Sequence, residues 1–542
     1  MIYEEKKTFN KFFVITAVIL LALIFFPVLL EVQELFSDEG LYLAAAREMD
    51  QMPALMKTQG DVGYGGYPFY PYLIRLLTDA GVPMIIALRL IPCICLFLIG
   101  GIIFLTSWNA KGLTAGIVGL SAWMINFLTI EKFSDGNPVL LGTLCVFSAW
   151  MVWYTLGIWR NKWKLAWILT FFICGLTFYT IGFKGLLLIV FPMLFHRRPL
   201  TVWTKPRGNA FIAGFLILVL FFLLWGIPRW TAPEPPAWER TAVFLPGIGK
   251  YFTQLLTFPF DSAIRFLPWT LFVWAPFCPA LLPLDDRPLL SRYLRTVFLG
   301  SFIILWLSPT TQSRDLFFIL PPLSVLVGMN YWIVVRRYGW KLLKLFEILS
   351  LILLIACVAA LSYLIIPRDC LPVLITDHLQ DLSGSPCRNI GIICSIAGII
   401  FAITAFFMCI SGVRVWLTII VLSGALILPY RGVIIPYQNV NRNKELTGKT
   451  FRKAIPEKEL PEVVYRMYDI PRLYNEMHYF NIKLKTIGSP EELPKEKSVV
   501  YVFSGVVPSA PDRIWDRLYY TPHRNKYIEL WRGKLKTEDD YE

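Results

Sequence analysis

A polytopic α-helical membrane protein with a small α/β domain at its C-terminal end is the fold class this sequence predicts. Three observations predict it. The 542-residue chain is 56% hydrophobic and only 17% charged, with a mean hydropathy of +0.56; a soluble domain does not carry so much apolar side chain. Stretches approaching the roughly 20 apolar residues that cross a hydrocarbon core recur along it. From residue 431 to Glu542 the composition turns polar.

In order, thirteen spans are read near residues 12–31, 82–106, 112–130, 138–158, 164–179, 182–195, 209–228, 263–283, 296–309, 315–334, 345–366, 389–410 and 414–430. The first is followed by more chain of the same kind and has neither a short apolar core nor a small-residue cleavage site, so it reads as a retained helix. A connecting segment, 32–81, carries interfacial helical pattern. The fifth and sixth spans are short and meet at Gly182, the pattern of a broken or re-entrant pair. Residues 1–430 thus form the membrane body. Beyond it, the alternating runs from Ser498 to Phe503 and from Lys526 to Trp531 read as strands. They place a separate soluble unit of about 110 residues at 431–542.

The net charge of +14 would suggest nucleic acid in a soluble chain. Here the basic residues cluster in alternate short loops, among them Lys6, Lys7, Lys11, Arg197, Arg198, Arg336 and Arg337, while the opposite loops hold Asp38, Glu39, Asp61, Glu131, Asp135, Glu239 and Asp261. The positive-inside bias therefore explains the charge. It predicts a cytoplasmic N-terminus, acidic loops outside and, after thirteen crossings, an extracytoplasmic C-terminal domain. No nucleic-acid partner is expected. Ten cysteines give no metal-type pair. Cys370 and Cys387 share one outer loop and read either as a disulfide or as two thiols.

The chemistry-bearing candidates sit at span ends. Asp38 and Glu39 directly follow the first span. Their bland reading is the acidic first turn of a helix capped by Ser37. Against it stand an amphipathic continuation from Gly40 to Leu55, the aromatic, Gly-rich stretch from Tyr64 to Tyr72, and another acid on the same face, Asp135. Arg89 lies about two turns into the second span, Lys184 interrupts the short pair, and Arg314 precedes the tenth span. A charge facing lipid costs roughly 3 kcal/mol or more, so such residues usually line a cavity. Snorkelling at a helix end is the alternative for Arg314. Cations so placed suit a phosphate or diphosphate.

Taken together, Asp38, Glu39 and Tyr42 after the first span, the segment from Tyr67 to Tyr72, Ala87 to Pro92, Asp135, Lys184 with Gly185, Leu267 to Thr270, and Arg314 ahead of Pro321 resemble the GT-C superfamily of integral-membrane glycosyltransferases. The narrower resemblance is to the branch of protein O-mannosyltransferases and bacterial lipid A aminoarabinose transferases. It implies a GT-C fold in a bacterial inner membrane and a polyprenyl-phosphate-linked sugar donor used on the outer face with inversion. The acceptor would be a glycolipid, glycan or protein. It implies Asp38 as general base and Glu39 and Asp135 as orienting acids. Arg89, Lys184 and Arg314 would bind the departing phosphate, and Tyr42, Tyr67 and Tyr70 would shape the acceptor entrance. Gly66 and Tyr67 stand where the lipid A enzymes carry Glu-Lys, so no metal ligand and no lipid A acceptor are carried over. No cofactor is assigned; a divalent cation stays open. A monomer among membrane lipids is expected. The alternatives are a secondary transporter and a diphosphate-linked glycan polymerase or ligase of the same superfamily.

Overall fold

The computed structural model describes residues 35, 38–49, 57–58, 61–62, 67–133, 135–196, 208–230, 248–365, 388–412, 414–435, 444–467, 474–480, 482–494, 497–523 and 526–536. The expected first span, residues Tyr64 to Gly66 of the aromatic stretch, and the loop holding Cys370 and Cys387 lie outside them.

Among the described residues, eight helices are long and apolar enough to cross a membrane. Their apolar outer faces carry exposed side chains such as Phe97, Leu98, Leu220 and Phe407. That is expected where lipid replaces water, and the chain is a multi-pass membrane protein. The helices that frame the site are α1 (Glu39–Glu48), α2 (Phe69–Asp79), α3 (Met84–Lys111), α4 (Leu113–Met124), α5 (Phe127–Lys132) and α6 (Val139–Val152). They continue with α7 (Trp163–Ile181), α8 (Phe183–Leu194), α9 (Asn209–Trp230), α10 (Ile248–Arg265), α11 (Thr270–Val273) and α12 (Pro288–Leu307). The membrane body closes with α13 (Leu320–Ile365), α14 (Arg388–Ile410) and α15 (Val415–Pro429).

Three of these differ from the sequence expectation. The expected span 263–283 is broken: α10 ends at Arg265, a cis Leu267–Pro268 bond follows, and only the four-residue α11 and short 3-10 turns remain. Pro268, Pro276, Pro279 and Pro283 each remove a backbone donor that a continuous helix needs. Helix α10 itself lies in a stretch read as a loop. Phe252, Leu256, Phe260 and Ile264 form an exposed stripe at i, i+4 spacing, while Tyr251 Oη donates to Leu307 O at 2.8 Å and Gln254 Nε2 to Ser308 O at 2.9 Å on the other side. That division marks an interfacial helix.

The tenth and eleventh expected spans join in the 46-residue α13. Straight, it would measure roughly 69 Å, more than twice the hydrocarbon thickness. Its contacts require a reversal instead. Phe317, just before it, meets Trp123, and Leu364 packs on Val433 at the same end of the bundle. Tyr331 Oη accepts from Trp416 N at 3.0 Å, and Trp340 approaches Gly412, both at the other end. The two ends of α13 thus meet one end of the bundle, and its middle, at Tyr331 and Trp340, meets the other.

The C-terminal part holds α16 (Lys444–Ala454), α17 (Tyr474–Phe480) and a five-stranded sheet of β3 (Val463–Met467), β4 (Lys483–Ile487), β5 (Val499–Ser504), β6 (Arg513–His523) and β7 (Lys526–Leu535). A two-stranded pair, β1 (Lys57–Thr58) with β2 (Asp61–Val62), precedes them. The sheet order is β4-β3-β5-β7-β6, parallel through β4-β3-β5 and antiparallel beyond. The period-2 pattern of β5 sends Tyr501 and Phe503 to a core shared with Phe451 and Phe480, and Val500 and Val502 to the opposite core with Ile487. Helix α17 docks on α1, which ties this domain to the start of the membrane body.

Candidate active site

Asp38 occupies the N-cap position of α1, yet its side chain makes no capping bond. Its Oδ2 instead accepts from Arg314 Nη2 at 2.8 Å, and the Asp38 side chain stays 46% exposed. The neighbouring Glu39 points the other way. It is 4% exposed, accepts from Gly136 N through Oε1 at 2.6 Å, and faces Arg89 Nη2 through Oε2 at 3.5 Å. Gly136 permits this approach because a Cβ there would collide with the Leu88 side chain. So one carboxylate of the pair is fixed inside the bundle and the other is left at its rim.

Asp135 stands in the turn between α5 and α6, 3.7 Å from Lys132 Nζ. Burial pushes its carboxyl up to about 6; Lys132 opposes that rise and the Glu39 charge adds to it. Lys132 also meets Glu131 at 3.2 Å, and Arg265 joins Glu131 at 2.7 Å and Asp261 at 2.9 Å. This chain of ions secures α10 over α5. The turn is held from inside: Asn126 caps α5 by accepting from Thr129 N at 2.8 Å and donates to Trp123 O at 2.7 Å. Trp269 Nε1 donates to Ile125 O at 3.0 Å.

Arg314 and Asp315 lie in the 3-10 segment Ser313–Phe318, whose first turn is closed by reciprocal Gln312 and Asp315 bonds. Asp315 Oδ2 also receives Lys184 Nζ at 2.6 Å. Lys184 begins α8, after the break at Gly182, where φ is 70°. The two predicted cations Arg314 and Lys184, far apart in sequence, thereby meet on one short segment. Arg89 is set apart from them in α3 and is engaged with Glu39.

Tyr42, on α1, meets Tyr70 edge-on with centroids 5.3 Å apart. Tyr70 is fully buried and donates its hydroxyl to Leu88 O at 2.6 Å. Its place is therefore in the α2–α3 packing, not at an entrance. Tyr67 lies against Phe178 and stacks on Trp225 at 6.3 Å, which fastens the start of α2 to α7 and α9.

Sequence reasoning missed Asp315, Lys132 and Arg431. Arg431 is 1% exposed within the wide helical turn Tyr430–Ile434 that continues α15. It donates to Ile130 O and lies 5.0 Å from the Phe133 ring centroid. The membrane helix thus runs past residue 430 before the polar composition takes over, and Arg431 belongs to the underside of the Asp135 turn. The arrangement as a whole sets a half-exposed carboxylate beside a guanidinium and an ammonium, above a layer of buried ion pairs. It can accept a proton and hold an oxyanion side by side.

No protein-family model matches this sequence, and comparison with curated proteins by sequence finds no match. Among solved structures, the chain is similar to ArnT from Cupriavidus metallidurans in the apo state. The TM-score is 0.68 at 14% identity, covering 96% of this chain and 97% of that one. The structure of ArnT bound to undecaprenyl phosphate gives the same score and identity, with 96% and 98% covered. An Archaeoglobus fulgidus oligosaccharyltransferase matches more loosely, with a TM-score of 0.47, 13% identity, and 90% and 66% covered. The fold is an ArnT-like GT-C fold, from the membrane body through the C-terminal domain.

Proposed function

We propose that this protein is an inverting glycosyltransferase of a bacterial inner membrane. It would take a sugar from a polyprenyl-phosphate carrier and pass it to a hydroxyl of a lipid, glycan or protein acceptor on the outer face. The observation that carries this reading is the pairing of the rim carboxylate of Asp38 with Arg314 at 2.8 Å, one residue from the Asp315–Lys184 bridge. A base and two cations share one small region, and the similar ArnT fold has been solved with undecaprenyl phosphate.

In the proposed reaction the acceptor oxygen attacks the anomeric carbon from the face opposite the phosphate. The carbon–oxygen bond to phosphate breaks and its electron pair leaves with the lipid phosphate. The acceptor proton passes to Asp38. A phosphate is a competent leaving group, so no general acid is required. Arg314 offers five N–H donors in a planar fork, enough to orient Asp38 and still meet the growing phosphate charge. Lys184 adds a point charge from the opposite helix. Glu39, fixed between Gly136 N and Arg89, sets the direction of the turn, and Asp135 orients the acceptor. Tyr42 and Tyr67 border the approach, and the enzyme works as a monomer with its C-terminal domain outside.

The mechanism we propose uses no divalent cation. Asp38, Glu39, Asp135 and Asp315 each face a Lys or Arg at 2.6–3.7 Å. Among the described residues, no group of three or more His, Cys, Asp or Glu is placed to hold a metal. We therefore route no step through one.

The test is mass spectrometry of envelope glycolipids and glycoproteins from a deletion strain complemented with wild type or Asp38→Asn. Both the deletion and the variant should lose the same sugar decoration while the variant inserts at the normal level. Wild-type decoration with Asp38→Asn would remove Asp38 as the base.

A further inference from the structure

The first turn of α1 poses a question of hydrogen bonding. A helix start leaves backbone N–H groups without intrahelical partners, and an N-cap aspartate ordinarily accepts from the second or third of them. Asp38 does not. The Gly40 N–H that it would take is instead bonded to Asn475 Oδ1 at 2.7 Å, a buried contact spanning 435 residues of sequence. Asn475 lies on α17 of the C-terminal domain and is 5% exposed. The amide orientation is fixed by its partner, since only oxygen can accept from an N–H.

The rest of the contact is built around this bond. A Cβ at Gly40 would overlap the backbone of Tyr474 and Asn475, so glycine is what lets α17 come this close. Two turns further along α1, Arg47 Nη2 lies 3.5 Å from His478 Nδ1, one turn along α17. Burial and the Arg47 charge hold that histidine down at about 4, so at neutral pH it does not repel the arginine.

Resting on the reading of Asp38 as base, we infer that Asn475 is a positioning residue. It caps α1 from the C-terminal domain in place of Asp38 and so frees the Asp38 carboxylate to face Arg314 and the reacting acceptor. Without it, the buried Gly40 N–H would recruit the ordinary N-cap acceptor, the Asp38 side chain, and draw the base away from Arg314. The C-terminal domain is then a part of the active site that touches no substrate.

The experiment uses the full-length protein in detergent. Transfer is followed from polyprenyl-phosphate sugars extracted from the organism's own membranes, and lipid binding is read with undecaprenyl phosphate. Asn475→Leu should slow transfer at least tenfold while undecaprenyl phosphate affinity stays within twofold, and Asn475→Asp, which keeps an acceptor oxygen, should retain at least half the rate. In the Asp38→Asn background, Asn475→Leu should cause no further loss, because both act through one group. Hydrogen exchange of the peptide covering residues 38–44 should quicken in Asn475→Leu. A wild-type rate in Asn475→Leu, losses that multiply in the double variant, or unchanged exchange would each overturn the inference. A fully active Asp38→Asn would instead sink the base assignment, with the exchange result still judging the cap. Should Asn475→Leu not fold, Asn475→Gln, whose amide sits one methylene further out, should give an intermediate loss; a wild-type rate there with unchanged exchange would overturn it equally.

Discussion

Asp135→Asn should make the protein more stable and less active. Asp135 is held largely out of water in the α5–α6 turn, and burial lifts its carboxyl from 3.8 to about 6. The folded state therefore binds that proton more tightly than the unfolded chain does. Between those two values folding takes up protons, so stability declines as pH rises from about 4 to about 6 and is flat above. At about 1.36 kcal/mol per tenfold in proton affinity, the gap corresponds to about 3 kcal/mol of destabilisation at neutral pH. Asparagine keeps the side-chain oxygen and removes the charge. Lys132 loses one partner but retains Glu131 at 3.2 Å, which limits the offset, so a net gain of about 1–3 kcal/mol is expected. The assay is the thermal unfolding midpoint in detergent across pH 4–8, for wild type and variant. The variant should melt a few degrees higher at pH 7–8 and lose the slope between pH 4 and 6, while transfer falls. A midpoint at pH 7 equal to or below that of wild type would refute the reasoning that this ionised carboxylate is kept at a cost in stability.

Further perturbations follow the same geometry. Arg314→Lys should lower transfer about 10- to 100-fold, because a point charge cannot serve both Asp38 and phosphate as a planar fork does; initial rates check this. Lys184→Gln should weaken undecaprenyl phosphate binding roughly tenfold in a direct binding assay, since it also leaves the buried Asp315 carboxylate without its ammonium. Tyr70→Phe orphans the Leu88 carbonyl and should cost about 1–2 kcal/mol in detergent unfolding while leaving the KM for acceptor unchanged. A reporter placed after residue 443 should register outside the membrane; a cytoplasmic signal would break the thirteen-crossing topology.

Much of the fold is legible in the sequence because a bilayer imposes a crude rule on it. Long apolar runs such as 82–106, 209–228 and 389–410 became helices close to where composition put them. The rule fails where proline chemistry competes, as between Leu267 and Pro283, and where the apolar signal is amphipathic, as in α10. It also stops short at Arg431, because a buried arginine looks like the start of a polar domain until Phe133 and Ile130 are folded around it.

The site divides along similar lines. Asp38, Glu39, Asp135, Arg89, Lys184 and Arg314 stood out as charges where charges are expensive. Their pairings did not, since Arg314 reaches across 276 residues to Asp38 and Lys184 reaches Asp315 on another element. The resemblance puts Tyr70 at the acceptor entrance, but the bond to Leu88 O makes it core. Asn475 gave no signal at all, because its role exists only where two distant segments meet.

The most direct measurement is single-turnover transfer by purified Asp38→Asn, using membrane-extracted polyprenyl-phosphate sugar, beside undecaprenyl phosphate binding by the same preparation. Loss of a general base predicts a rate at least a hundredfold below wild type with lipid phosphate bound within twofold of normal. Transfer at the wild-type rate by that variant would rule out Asp38 as the base.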